Sequence, residues 1–116
     1  MASTFRFITF LSDYGLEDEF VGVCRGVVKR FAPEVEILDI AHGIPPQDVA
    51  AGATVLAQAV RYMPAAVHLA IVDPGVGTPR RAVVIETGSG SPLVGPQVPL
   101  VAATVVSAKL PLRPLP

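Results

Sequence analysis

The sequence predicts an α/β fold, a Rossmann-like parallel sheet flanked by helices. Three short segments rich in β-forming apolar residues, Arg6–Leu11, Val35–Ile40 and Val67–Val72, are separated by two stretches with the 3.6-residue period of a helix. The order β-α-β-α-β requires right-handed crossovers and parallel neighbours. A polar segment follows each strand (SDYG, AHGIPP and DPGVG), at the end of a parallel sheet where ligands bind.

Arg6–Leu11 is apolar almost throughout and stops at Ser12-Asp13-Tyr14-Gly15. A helix is expected near Glu17–Phe31, with Glu17, Asp18 and Glu19 in its first turn and Lys29 and Arg30 in its last, as the helix dipole favours. Phe20, Cys24, Val27, Val28 and Phe31 recur at helical spacing and are expected to form its buried stripe. Pro33 prevents continuation. Val35–Ile40 ends at Ala41-His42-Gly43, and a second helix is expected near Gln47–Tyr62. Pro46 suits its first turn, Asp48 lies near its positive end, and Val49, Ala53, Leu56, Ala57 and Val60 form its inner face. Val67–Val72 has the continuous apolar character of a strand buried on both faces, and it runs into the turn Asp73-Pro74-Gly75-Val76-Gly77. Ala82–Ile85 and Pro92–Val94 read as two further strands around Gly88-Ser89-Gly90. Residues 1–96 thus form one α/β domain. Residues 97–116 form a divergent tail with several prolines, no acidic residue and no periodicity that places it in the sheet.

A length of 116 residues fits one small domain, and 51% hydrophobic content with 16% charge argues for a globular chain. The net charge of -1 supplies no cationic field for nucleic acid. Cys24 is the single cysteine, so an internal disulfide and a cysteine-cluster metal site are excluded. His42 and His68 stand far apart without a carboxylate motif, which gives no metal site. No run reaches the roughly 20 apolar residues that span a bilayer. The amino terminus holds one cation, Arg6, and Ser12 and Asp13 interrupt its apolar run, unlike a signal peptide. The expectation is a soluble cytoplasmic protein without membrane or nucleic-acid partners.

Each polar residue of these segments has a structural reading. Asp13 suits a turn or helix cap, Asp73 the first position of a β-turn, and Asp18 the first turn of a helix. Arg80 and Arg81 read as surface charge, His42 as a turn residue at a pocket rim, His68 as a core or sheet-pairing residue, and Cys24 as packing.

The segments FLSDYGLEDEFVGVCRGVV, ILDIAHGIPPQDVAAGA and LAIVDPGVGTPRRAV resemble signature stretches of the S-adenosylmethionine hydroxide adenosyltransferase family, relatives of the fluorinase and chlorinase enzymes. They occur in the family's order and spacing across roughly the first 96 residues. The resemblance implies hydroxide attack on ribose C5′ of S-adenosyl-L-methionine, which releases methionine and adenosine without a further cofactor. Asp73 and Arg80 match the aspartate and arginine of the family's Asp-Arg-His triad. Asp13 matches an aspartate that binds the ribose hydroxyls, and an ionised carboxylate, which accepts two hydrogen bonds, suits a vicinal diol. Asp18 becomes a pocket residue, and Asp73 a substrate contact as well as a catalytic one. Arg80 cannot be the base, because its pKa lies above about 12. Its positive charge would hold a hydroxide or acidify a water, with Asp73 orienting the pair. The fluorinase-like branch has tyrosine at the position of Asp73, so the sequence resembles the hydrolase branch. The family also implies a homotrimer with active sites between subunits.

Two departures accompany the resemblance. The family continues after Leu-Val-Gly-Pro with Asp-Asn-Gly, whereas Gln97-Val98-Pro99 follows Pro96 here. The triad histidine and the β-rich C-terminal domain have no counterpart. The chain therefore reads as an incomplete, poorly active hydrolase. A noncatalytic remnant that binds adenosine or S-adenosylmethionine, and a halide-using transferase, stand as alternatives.

Overall fold

The computed structural model describes residues 5–73, 82–87, 90–96 and 112–113. In chain order these form β1 (Phe7–Ser12), α1 (Phe20–Phe31), β2 (Glu36–Ala41), α2 (Val49–Val60), β3 (Val67–Ile71), β4 (Ala82–Thr87), β5 (Pro92–Pro96) and β6 (Leu112–Arg113). The strands make one sheet in the order β2-β1-β3-β5-β4-β6. β2, β1, β3 and β5 run parallel, while β4 lies antiparallel to both β5 and β6. The expected parallel α/β core is present, extended at one edge by antiparallel strands. Leu112 and Arg113 join that edge although nothing in the apolar tail's pattern signals a strand.

The first helix starts later than its acidic residues suggest. Glu17, Asp18 and Glu19 precede α1, and Asp18 Oδ1 accepts a hydrogen bond from the Phe20 amide at 3.0 Å. The acids thus stand just outside the positive end rather than in the first turn. In α2, Pro46 lies before the helix, and Asp48 is the N-cap, its side chain accepting the Ala51 amide at 3.0 Å.

The two helices cover opposite faces of the sheet. β1 connects through α1 to β2 on one side, and β2 connects back through α2 to β3 on the other, so right-handed crossovers must use different faces. Side-chain alternation agrees. Leu11, Ala70 and Val72 join Ala53, Leu56 and Val60 of α2 in one apolar cluster. Asp39, which pairs with Phe10 in register, points the other way and meets Arg25 of α1.

The inner face of α2 is as expected: Ala53, Leu56, Ala57 and Val60 are buried, and Val49 packs at the margin. The stripe expected on α1 is not its buried face. Val21 is its buried residue, Cys24 and Val28 are half-buried, and Phe20, Val27 and Phe31 are exposed, Phe31 by 85%. Its valines and phenylalanines do line one arc of the circumference, but only the edge of that arc at Val21 is buried, and Phe20, Val23, Val27 and Phe31 are left exposed. Phe20 instead meets Tyr14 of the preceding loop edge to face at 4.7 Å, and Arg25 turns toward the sheet to reach Asp39.

Two polar side chains are buried on the α2 face of the sheet. Thr9 Oγ1 and His68 Nδ1 lie 2.8 Å apart across the β1–β3 pairing, which fits the core or pairing role expected of His68. Burial holds this imidazole below its ordinary protonation range. Unfolding frees the ring to take a proton. Its contribution to stability is therefore fully present above the unfolded value, about 6.5, and is lost as pH falls below it.

Urea unfolding should accordingly show a midpoint that drops between about pH 7.5 and pH 5, and His68→Asn, which keeps a partner for the Thr9 hydroxyl, should flatten that dependence. Leu56→Ala, which empties a site at the centre of the α2 cluster, should cost about 2–5 kcal/mol at neutral pH in the same assay.

Candidate functional site

β1, β2 and β3 run parallel, so their carboxyl ends lie at one end of the sheet. Ser12 pairs with Ile71, so β1 and β3 end side by side. The chain leaves β1 toward β2 and leaves β3 toward the opposite side of the sheet. The β1/β3 boundary is therefore a topological switch point, the position at which parallel sheets bind ligands in a crevice beyond the strand ends. Asp13 follows β1 directly, and Asp73 lies two residues beyond β3. The fold brings these two expected site residues to neighbouring strand ends.

Asp13 is fixed on two sides. Its amide donates to the Ile71 carbonyl at 3.2 Å, and its Oδ2 accepts the Gln47 amide at 2.8 Å. Gln47 adopts a positive φ of 63°, which costs a non-glycine residue about 1–2 kcal/mol, and the hydrogen bond to Asp13 holds it there. The carboxylate is partly exposed, and among the described residues it accepts only that one bond. Oδ1 has no hydrogen-bond partner among the described residues. Asp73 is 4% exposed, and its interactions engage it within the fold. Asp18 is exposed and occupied by the Phe20 amide. Arg80, its neighbour Arg81 and the turn from Pro74 onward lie outside the described residues, as do Gly88 and Ser89.

His42 is not the rim residue expected from its turn. It is 4% exposed, lies edge to face against Phe10 at 4.6 Å, and bonds through both ring nitrogens. Nδ1 is 2.6 Å from Ser12 Oγ, and Nε2 is 2.8 Å from Asp39 Oδ1. The other carboxylate oxygen of Asp39 accepts from Arg25 at 2.6 Å. A regular strand would send residues three apart to opposite faces. Here the β1–β2 register jumps from Phe10↔Asp39 to Leu11↔Ala41, so Ile40 is an extra residue, a β-bulge. The bulge returns His42 to the face that holds Asp39, Phe10 and Ser12. Sequence reasoning missed this cluster.

The protonation pattern follows from donor and acceptor counting. A carboxylate opposite Nε2 requires a proton there. The neutral ring then has its lone pair on Nδ1, which takes the Ser12 hydroxyl proton. Ser12 Oγ keeps a lone pair for the Tyr14 amide at 3.3 Å. Gly15, at φ 75°, donates its amide to the His42 carbonyl at 2.7 Å, so the first two loops are bonded through both side chain and backbone.

A separate groove of about 390 Å³ runs between α1 and the first half of β2, lined by Arg25, Gly26, Lys29, Glu36, Ile37 and Leu38. Its cations are engaged. Arg25 pairs with Asp39, and Lys29 donates to the carbonyls of Pro33 and Val35 at 2.9 and 2.6 Å. The groove lies away from the strand carboxyl ends and carries no reactive group. Among the described residues, no three His, Cys, Asp or Glu side chains gather as a metal site.

Known proteins resemble this chain in fold and in sequence. A solved structure of a conserved hypothetical protein from Thermus thermophilus superimposes with a TM-score of 0.81 at 43% identity, covering 93% of this chain and 44% of that one. A protein named (R)-S-adenosyl-L-methionine hydrolase from Salinispora arenicola is 57% identical over 96 residues, which is 83% of this chain and 36% of the relative. A protein named fluorinase from Nocardia brasiliensis is 34% identical over 85 residues, 72% of this chain and 28% of the relative. The chain spans about a third of the length of the curated hydrolases it matches. The profile of the SAM hydroxide adenosyltransferase N-terminal domain matches residues 8–110, and on that match the chain belongs to the SAM hydroxide adenosyltransferase family.

Proposed function

We infer that this chain supplies the adenosine-binding and nucleophile-orienting part of an enzyme that hydrolyses S-adenosyl-L-methionine to adenosine and L-methionine. The observation that carries the reading is Asp13, a carboxylate anchored through Oδ2 at the switch-point crevice with Oδ1 left to accept from a ribose hydroxyl. Asp73, at the neighbouring strand end, orients Arg80, whose fixed charge holds the attacking hydroxide in line with C5′. Asp18 stands at the approach to this crevice. A carboxylate placed against the sulfonium would favour the ground state, because the substrate's positive charge disappears as methionine leaves. The carboxylates therefore belong on the ribose and nucleophile side. Relatives named hydrolase are more similar to this chain than those named fluorinase, and this, with Asp73, favours water over halide as nucleophile.

The reaction needs no cofactor beyond its substrate, a small dissolved molecule, and in this reading it takes place in the cytoplasm. Among the described residues no helix is long and apolar enough to cross a membrane. The working form in this reading is a homotrimer in which a neighbouring subunit closes the crevice.

Both histidines of the sequence are buried in hydrogen bonds within the sheet, His42 with Ser12 and Asp39 and His68 with Thr9. Neither is available as the third member of a triad with Asp73 and Arg80. The 116-residue chain by itself should therefore bind adenosine and release it from S-adenosylmethionine only slowly. Titration calorimetry with adenosine tests the first half, and Asp13→Ala should weaken binding by about tenfold or more, the worth of a lost charge-assisted hydrogen bond. Equal affinity in that variant would remove Asp13 from the ribose site. In a version that spans the relatives' full length, Asp73→Asn should lower adenosine release about 100-fold or more while changing substrate affinity only a few-fold, the pattern of a group that acts in the transition state. Wild-type turnover by Asp73→Asn would remove Asp73 from the mechanism.

A further inference from the structure

We propose that His42 is a positioning residue for the nucleoside site: by bridging Ser12 and Asp39 it holds the loop after β1 and the loop after β2 in the one relative placement that lets Asp13 accept the Gln47 amide. This rests on the reading of Asp13 given above and extends it to a residue with no part in the chemistry.

The imidazole is the only side chain among the described residues that bonds to β1 and β2 at once on this face of the sheet. Toward β1 it takes the Ser12 hydroxyl at 2.6 Å, and Ser12 in turn accepts the Tyr14 amide at 3.3 Å. Toward β2 it donates to Asp39 at 2.8 Å. Phe10 closes one side of the ring at 4.6 Å, so the ring cannot tilt without losing packing. Its own carbonyl receives the Gly15 amide at 2.7 Å. The next inward anchor of the same loop is Ile44, buried in the α2 cluster. Between Ile44 and Asp48, the N-cap of α2, stand Pro45, Pro46 and Gln47, and Gln47 reaches Asp13 at 2.8 Å. Two anchors on opposite faces of the sheet, His42 and Ile44, therefore aim a short proline-stiffened segment at the carboxylate. Removing the first anchor frees the segment at one end.

His42 touches neither the crevice nor Asp13. It acts through Ser12 and through the backbone, and its role is separable from simple core filling by the two amide isosteres. Asn places an acceptor where Nδ1 lies and retains the Ser12 bond. Gln places a donor where Nε2 lies and retains the Asp39 bond. If loop placement is the role, the Ser12 side matters most, because Ser12 also holds Tyr14 and directly precedes Asp13.

Amide hydrogen exchange on the 116-residue chain reads the placement without any ligand. In His42→Ala the Tyr14, Gly15 and Gln47 amides should exchange about tenfold faster or more, with Leu69 and Ala70 of β3 unchanged. His42→Asn should restore most of the protection and His42→Gln little of it. Ser12→Ala, a small change at a fully buried site, should reproduce the alanine result and serves if His42→Ala fails to fold. Calorimetry with adenosine should then show a loss of affinity that follows the Gln47 exchange rate across the series. An unchanged Gln47 amide in folded His42→Ala or Ser12→Ala, or equal effects of His42→Asn and His42→Gln, would overturn the proposal. If exchange behaves as expected and the wild-type chain does not bind adenosine, the placement role stands and the nucleoside reading of Asp13 fails.

Discussion

Strand β1 lies between two parallel neighbours and meets each through a buried hydroxyl–imidazole hydrogen bond. Thr9 bonds to His68 of β3 on the face covered by α2, and Ser12 bonds to His42 beyond β2 on the face covered by α1. Both hydroxyls are fully buried. A slip of β1 by one residue against either neighbour would reverse its faces and leave a hydroxyl and an imidazole without partners, at about 1–3 kcal/mol for each unsatisfied group. An apolar strand alone would tolerate such a slip more readily. These polar pairs specify the register, and the position of everything after Ser12, Asp13 included, is inherited from it.

The two faces are held by different physics. The α2 face is an apolar cluster reaching from Leu11 through Leu56 to Leu93, and its stabilisation scales with area removed from water. The α1 face combines the Phe10–His42 contact with a polar chain running from Ser12 to Arg25. The outer end of that chain, Arg25 with Asp39, is about 40% exposed on each side, so its ion pair contributes at most about 1 kcal/mol. Most of the large apolar residues of α1 face outward. The α1 side is therefore the side that opens first in local unfolding, and the α2 side is the last to give way.

Most of the strand and helix order was legible because strands buried on both faces are continuously apolar, as Val67–Val72 is, and because Asp48 caps α2 in the usual way. The orientation of α1 was not, since its valines and phenylalanines do line one arc, yet only the edge of that arc at Val21 is buried against the sheet side. Asp13 and Asp73 were legible as residues that end strands, and their adjacency followed once β1 and β3 were known to pair. The cluster around His42 was hidden for a different reason. Hydrophobic pattern reports which residues are buried, but a buried histidine beside a glycine and two prolines has the look of a turn, and its two partners come from separate strands.

Asp39 and His42 stand three apart in sequence, an odd separation, yet share one face of the sheet. That is possible only where the pleat is interrupted once between them. The constraint on this stretch is therefore one of length before it is one of composition. Ile40 and Ala41 can exchange for other apolar residues of similar volume, because both simply pack toward α2. Deleting one of them would remove the bulge and leave Asp39 and the imidazole two apart on one face of a regular strand, so the pair would survive without the interruption. Inserting one residue beside a retained bulge would carry the imidazole through the sheet to the apolar side and detach the loop that follows. Divergence among chains built this way should thus be free in the identity of the intervening residues, while their number is tied to the bulge: one intervening residue without it, two with it.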